Sequence, residues 1–233
     1  GMSGGVDSSA AAYILKEQGY EVTGATIRIW DDTADACIAD AKAVCEKICI
    51  KHQVLDFRQQ FHDAVIADFK SEYAKGRTPN PCVMCNKHIK WQALYEAAAS
   101  QGIDRIATGH YARIEQLENS RYSVRKAAFD KKDQTYVLYG LSQEMLAHTL
   151  MPLGTFDKPQ IREIAAGIGL KVADKPDSQD ICFVPDGDYL SFLKNRCQMD
   201  LKPGPFVDAE GKVIGTHKGI CAVNIGQRKG LNL

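Results

Sequence analysis

The chain of 233 residues has no apolar run of about 18 residues, so no segment reads as a membrane-crossing helix. It has no excess charge of either sign, with 29 Lys and Arg against 29 Asp and Glu. That excludes a protein that coats nucleic acid by bulk charge and leaves only a local basic face. Eight cysteines are too few for a disulfide-dense scaffold. No internal repeat, low-complexity tract, signal peptide or transit segment is visible. The absence of any skew in composition, with 45% hydrophobic and 25% charged residues, excludes collagen, coiled coil and general disorder. A chain this long buries a sizeable core without staples. The cysteine grouping at 37, 45 and 49, then 82 and 85, then 182, 197 and 221 therefore reads as an intracellular chain with a few working thiols.

What is present is an alternation of helical and strand-like text. Helices are expected over 8–18, 35–52, 59–74 and 85–101, and strands over 20–30, 53–57 and 104–108. The two-proline stretch 76–84 reads as a loop. Such alternation predicts an α/β fold with a parallel sheet covered on both faces. From Tyr111 the period drops to two, and 112–117 and 121–129 read as an inserted β-hairpin. Helical text returns at 142–148 and 158–168, followed by a polar loop over 174–188, a short helix over 189–196 and Pro/Gly-rich strands. The expected division is a first domain over 1–186 and a partial second domain over 187–233. No strand precedes the opening glycine-rich turn, so the first strand of the sheet is expected to be missing.

That turn, Ser3-Gly4-Gly5-Val6-Asp7-Ser8, is the strongest short motif. Two glycines let backbone amides face an anion, and Ser8 is expected to cap a helix whose N-terminus adds positive potential. No Gly-Lys-Ser/Thr follows, and the glycine spacing is wrong for a dinucleotide fold. The hexapeptide resembles the signature of the PP-loop ATP pyrophosphatases. The resemblance implies that Ser3, Gly4, Gly5, Asp7 and Ser8 hold the pyrophosphate of ATP, with Mg²⁺ neutralising charge on the leaving group.

A CxxC, Cys82 to Cys85, stands where loop text gives way to helix text, and Cys85 near a helix start would gain thiolate character. Cys182 lies in the polar loop. No second CxxC completes a zinc set. Cys37, Cys45 and Cys49, at helical spacing, read as small buried apolar residues.

Over nearly its whole length the chain resembles the tRNA-specific 2-thiouridylases of the MnmA family. The matching text is 1–9, GRTPNPCVMCNKHIK at 76–90, ATGHYAR at 107–113, KDQTYVL at 132–138, SQDICFVPDGD at 178–188, KPGP at 202–205 and IGQRKGL at 225–231. The resemblance implies a cytoplasmic sulfurtransferase of the adenine-nucleotide α-hydrolase-like fold that lacks its C-terminal β-barrel here. ATP would adenylate the C2 oxygen of uridine 34. Persulfide sulfur on Cys182 would attack the activated carbon, and Cys85 would act as the partner nucleophile through a disulfide with Cys182 or by releasing sulfide. Gly1, Met2, Val6, Ile27 and Gly109 would join the nucleotide site. Asn80, Pro81, Cys82, His110, Lys132, Asp133 and Gln134 would contact tRNA, with the Lys, Glu and Gln isoacceptors as substrates. Sulfur would come from a cysteine desulfurase or a relay protein, and no membrane is involved.

Much of that family has Asp where Cys82 stands. Three thiols, Cys82, Cys85 and Cys182, also match the set that holds a [4Fe-4S] cluster in related enzymes, so the persulfide and cluster routes both stay open. Two other readings remain: a PP-loop ligase acting on a small carboxylate or amide, and a non-catalytic nucleotide- or metal-binding module.

Overall fold

The computed structural model describes residues 1–30, 34–170, 181–184, 186–231 and 233. By packing, the chain divides into two units, Gly1–Phe61 with Val83–Asp177, and His62–Cys82 with Ser178–Leu233. The stretch 171–180, which holds much of the expected polar loop, lies outside the described residues.

The first unit is the α/β part. Helix α1 (Val6–Glu17) buries Ala10, Ala11 and Ile14. It ends in a Schellman turn, where Gly19 takes φ 87° and the amides of Gly19 and Tyr20 bond the carbonyls of Lys16 and Leu15. Strand β1 (Thr23–Arg28) and helix α2 (Ala34–Lys47) follow. The helix is shorter than the expected 35–52. Cys49 adopts φ 55° and Ile50 bonds back to Cys45, which closes the helix early. His52 then falls in strand β2 (Lys51–Asp56), parallel to β1 from Thr23↔Lys51 to Arg28↔Asp56. Of the three helix cysteines only Cys45 is buried; Cys37 is half-buried and Cys49, at the turn, is exposed. Gly24 lets α2 lie close on β1, since a Cβ there would stand 2.5 Å from the Cys45 sulfur.

Helix α3 (Arg58–Phe61) runs through a π-helical turn (His62–Ile66) into α4 (Ala67–Ala74). A second helical run comprises α5 (Pro81–Cys85), a π-helical segment (Asn86–Ala93) and α6 (Leu94–Ala99). Strand β3 (Ile106–Ala107) comes next, then the hairpin β4 (Arg113–Gln116) and β5 (Tyr122–Arg125), antiparallel as expected and shorter. Helix α7 (Gln143–Ala147) is capped by Ser142, and β6 (Thr149–Leu150) pairs parallel with β3. Met2 pairs in parallel with Thr26 and donates its amide to Ala25, while the Gly1 nitrogen donates to Ala107. Residues 1 and 2 thus fill the strand position between β1 and β3, and the parallel order reads β2, β1, residues 1–2, β3, β6. Helix α8 (Lys158–Gly167) opens with a capping box between Asp157 and Gln160. Its Ile161 and Ala165 share one core with Ala10, Ile14, Ala41, Val44 and Leu153. A second core is built around Trp91, whose ring nitrogen donates to Thr149 at 2.9 Å.

In the second unit, helix α9 (Tyr189–Asn195), capped by Asp188, brings Phe192 to the ring of Phe69 from α4. Phe183 fits edge-on to Phe69 at 5.3 Å, and Tyr73 stacks on Tyr189 at 4.9 Å. Strands β7 (Gly204–Val207) and β8 (Val213–His217) form an antiparallel pair with a bulge at Phe206/Val207. No helix among the described residues is long and apolar enough to cross a membrane.

Candidate active site

The glycine-rich turn sits at the C-terminal edge of the parallel strands, where ligands of open α/β sheets bind. Gly4 takes φ 71°, and a Cβ there would lie 2.6 Å from the carbonyl oxygen of Cys37, so both the turn and its packing require glycine. Gly5, not Ser8, is the N-cap of α1, with extended φ −103° and no side-chain cap. Ser8 is three residues into the helix. Its hydroxyl accepts the Ser3 amide, donates to the Gly5 carbonyl and meets the Ser3 hydroxyl, each at 3.1 Å. Ser9 also donates to Gly5, at 2.8 Å. The serines therefore brace the turn from within. The amides of Val6, Asp7 and Ser8 open the helix, where no intrahelical acceptor exists, and supply donors for an anion.

Gly109 follows β3 and abuts this turn. A Cβ on Gly109 would stand 2.7 Å from the Ser8 amide nitrogen and 2.8 Å from the Asp7 carbonyl carbon. Ile27, half-buried near the end of β1 opposite Leu55, lies on the same edge. The structure thus brings together Gly1, Met2, the hexapeptide, Ile27 and Gly109.

Two site residues were not foreseen. Both oxygens of the Asp7 carboxylate accept from the Lys158 ammonium at 2.8 Å, and one also accepts from the Tyr111 hydroxyl at 2.7 Å. These partners lie 104 and 151 residues away, and no local pattern announces them. Tyr111 is fixed in turn, because its amide donates to the Gln134 side chain and its carbonyl accepts the Gln134 amide.

The residues expected to meet tRNA divide by environment. Asp133 is turned inward, accepting from Ala127 and Thr135. Burial raises its affinity for a proton, but those hydrogen bonds, with Lys126 nearby, outweigh burial and hold the carboxyl below its ordinary range. Gln134 braces Tyr111. His110 is partly buried, bonded to Thr108 at 2.8 Å and packed on Trp91 at 5.2 Å. Burial, with the charge of Lys90 adding, pushes its imidazole down to about 3, so it stays neutral near neutral pH. Lys132 is exposed, as are Arg113, Arg121, Arg125, Lys126 and Lys131. Some of that charge is already answered, since Arg125 meets Glu115 at 2.6 Å and Lys126 meets Asp130 at 4.0 Å. Tyr136 and Tyr139, 65% and 78% exposed, follow Lys131 and Lys132 in the chain as flat surfaces that the sequence reading passed over.

The expected loop holds only up to Asn80, because α5 starts at Pro81 and takes in Pro81 and Cys82. Asn80 accepts the Cys82 amide at 3.1 Å, and proline takes the first helical position, where its missing donor costs nothing. Cys82 is exposed, while Cys85, one turn on, is buried. Cys182 is exposed on the tight turn closed by the Val184 amide on the Ile181 carbonyl at 2.8 Å. The next two residues, Phe183 and Val184, are buried and anchor the turn. Among the described residues no three His, Cys, Asp or Glu side chains are grouped so as to hold a metal ion.

A parallel α/β sheet with a glycine-serine anion turn at its C-terminal edge defines a PP-loop, adenine-nucleotide α-hydrolase-like protein. Residues 1–186 match the family described as tRNA methyl transferase HUP domain, and 190–233 match the tRNA methyl transferase PRC-barrel domain. The full chain is 54% identical over 244 aligned residues to tRNA-specific 2-thiouridylase MnmA 2 of Clostridium tetani. It is 50% identical over 244 residues to tRNA-specific 2-thiouridylase MnmA of Clostridioides difficile, and covers 68% of each of these relatives. The chain belongs to the family of the tRNA-specific 2-thiouridylases, as its motifs led us to expect. Among solved structures, U34-tRNA thiolase NcsA from Methanococcus maripaludis with its [4Fe-4S] cluster aligns with a TM-score of 0.50. At 17% identity, over 84% of this chain and 64% of that one, it supports the shared fold alone.

Proposed function

We propose that this protein is an ATP-dependent sulfurtransferase that converts uridine 34 of tRNA to 2-thiouridine. The observation that carries the reading is the braced anion turn against Gly109, in a chain about half identical over its whole length to 2-thiouridylases. Those relatives favour thiolation over ligation of a small carboxylate.

In this reading the uridine C2 oxygen attacks the α-phosphorus of ATP, and pyrophosphate departs onto the amides of Val6, Asp7 and Ser8. The outer sulfur of a Cys182 persulfide then attacks C2, and AMP leaves with the oxygen. Cys85 thiolate attacks the Cys182 sulfur, so that the C2 thiocarbonyl is released and a Cys85–Cys182 disulfide remains for an external thiol to reduce. Exposure of Cys182 suits loading by a protein donor, either a cysteine desulfurase or a relay. Mg²⁺ bound with ATP would stabilise negative charge on the leaving pyrophosphate. With both Asp7 oxygens engaged, that ion would be held chiefly by the phosphates. A [4Fe-4S] cluster on Cys82, Cys85 and Cys182 is the alternative sulfur route, and iron and absorbance measurements after anaerobic purification separate the two. The exposed cations of the hairpin region, with Tyr136 and Tyr139, suit RNA phosphates and unstacked bases. By family, the Lys, Glu and Gln isoacceptors are the expected tRNAs.

The test incubates the protein with ATP, Mg²⁺, a sulfur source and unthiolated tRNA, and reads thiolation as retardation in an organomercury gel. Retardation with the wild type and none with Cys85→Ser or Cys182→Ser is expected. Undiminished thiolation by either variant would overturn the thiol assignments.

A further inference from the structure

We propose that Lys158 is a positioning residue of the nucleotide site, acting through Asp7. The inference rests on the reading above, that the turn at residues 3–8 binds ATP phosphates. Three observations carry it. The ammonium of Lys158 lies 2.8 Å from both oxygens of the Asp7 carboxylate, an engagement of the whole charge. The Lys158 side chain is 11% exposed, so water screens the pair less than it would a surface pair. The backbone that presents it is fixed: Lys158 is the first residue of α8, between the Asp157–Gln160 capping box and a core that α8 shares with α1.

The chemistry of the site gives the pair a purpose. Asp7 is the only acidic residue of the anion turn, and its amide is one of the helix-opening donors. An unanswered carboxylate there would repel the polyphosphate those amides are aimed at. Lys158 cancels that charge. With the Tyr111 hydroxyl it also fixes the Asp7 side chain, so the turn is electrostatically open to phosphate before ATP arrives. Lys158 is thus assigned a task distinct from direct phosphate binding, and the two are separable by a double-mutant cycle.

The experiment measures binding of a non-hydrolysable α,β-methylene ATP analogue with Mg²⁺ by calorimetry, using wild type, Lys158→Met, Lys158→Arg, Asp7→Asn and the Asp7→Asn/Lys158→Met double variant. Lys158→Met is expected to weaken binding about tenfold in the wild-type background, and less than about twofold in Asp7→Asn, a coupling of at least about fivefold, or about 1 kcal/mol. Lys158→Arg, which keeps the charge, should restore affinity to within about twofold of wild type. Equal losses in both backgrounds would make Lys158 a direct phosphate ligand and overturn the proposal, as would unchanged binding by Lys158→Met. If Lys158→Met does not fold, Lys158→Arg and Asp7→Asn decide: affinity lost in the arginine variant despite a wild-type melt overturns it. Failure of the wild type to bind would instead sink the nucleotide reading itself, and this proposal with it.

Discussion

Substituting Gly109 by alanine tests the central packing of the proposed nucleotide site with one methyl group. The added Cβ would stand 2.7 Å from the Ser8 nitrogen and 2.8 Å from the Asp7 carbonyl carbon, against the 3.4 Å at which ordinary contact begins. Both neighbours are backbone atoms of the first turn of α1, so no side chain can swing aside. The opening of α1 must recede by about 0.7 Å, or β3 must move away from it. Overpacking of this kind costs about 1–3 kcal/mol. Gly109 is not among the glycines with positive φ, so the penalty is steric and not conformational. The displaced atoms are those expected to meet phosphate, so much of the cost should appear as lost ATP affinity. At 1.4 kcal/mol per tenfold, that is a loss of about 10- to 100-fold. The assay is calorimetric titration with ATP and Mg²⁺, paired with a thermal melt to confirm a folded protein. A Gly109→Ala protein that binds ATP within about twofold of wild type would refute the claim that this contact shapes the anion turn.

Other substitutions probe the two units separately. Phe183→Ala removes a buried ring packed on Phe69 and Phe192, and should cost about 3–5 kcal/mol while raising the alkylation rate of Cys182. An unchanged denaturant melt with unchanged alkylation would contradict the anchoring role. Trp91→Phe removes the donor to Thr149 and should lower stability by about 1–2 kcal/mol in urea unfolding; no change would show that bond to be dispensable. Burial, aided by the neighbouring Tyr189 and Cys221, pushes the Tyr73 hydroxyl up to about 12. Its folded value lies above the ordinary value of about 10, so its contribution to stability is complete below pH 10 and fades as pH rises through 12. Burial also pushes the Tyr189 hydroxyl up, so absorbance titration should show late-ionising tyrosines whose amplitude Tyr73→Phe lowers by one; an undiminished late amplitude in Tyr73→Phe would assign the step elsewhere.

The parallel α/β class, the inserted hairpin and the anion turn were legible because each is written locally, in alternation, period-two text and Gly-Gly spacing. Helix boundaries were less so. The end of α2 depended on Cys49 taking a left-handed conformation, which its residue type does not advertise. The start of α5 was written in Asn80-Pro81, a cap followed by a first-turn proline, but two prolines in nine residues favoured a loop reading. Ser8 was expected to cap α1, and braces the turn because the glycine before Val6 starts the helix earlier. Lys158 and Tyr111 were illegible for a different reason. Their role exists only once α8 is packed on α1 and the segment after β3 passes beside the turn, and sequence separation hides that meeting.

The central claim is tested most directly by nucleoside analysis of tRNA after incubation with the protein, ATP, Mg²⁺ and a persulfide source. The account predicts 2-thiouridine at position 34, with one pyrophosphate released per sulfur inserted and no product from Cys182→Ser. Unmodified uridine 34, together with pyrophosphate release driven by a small carboxylate or amide in place of tRNA, would contradict it.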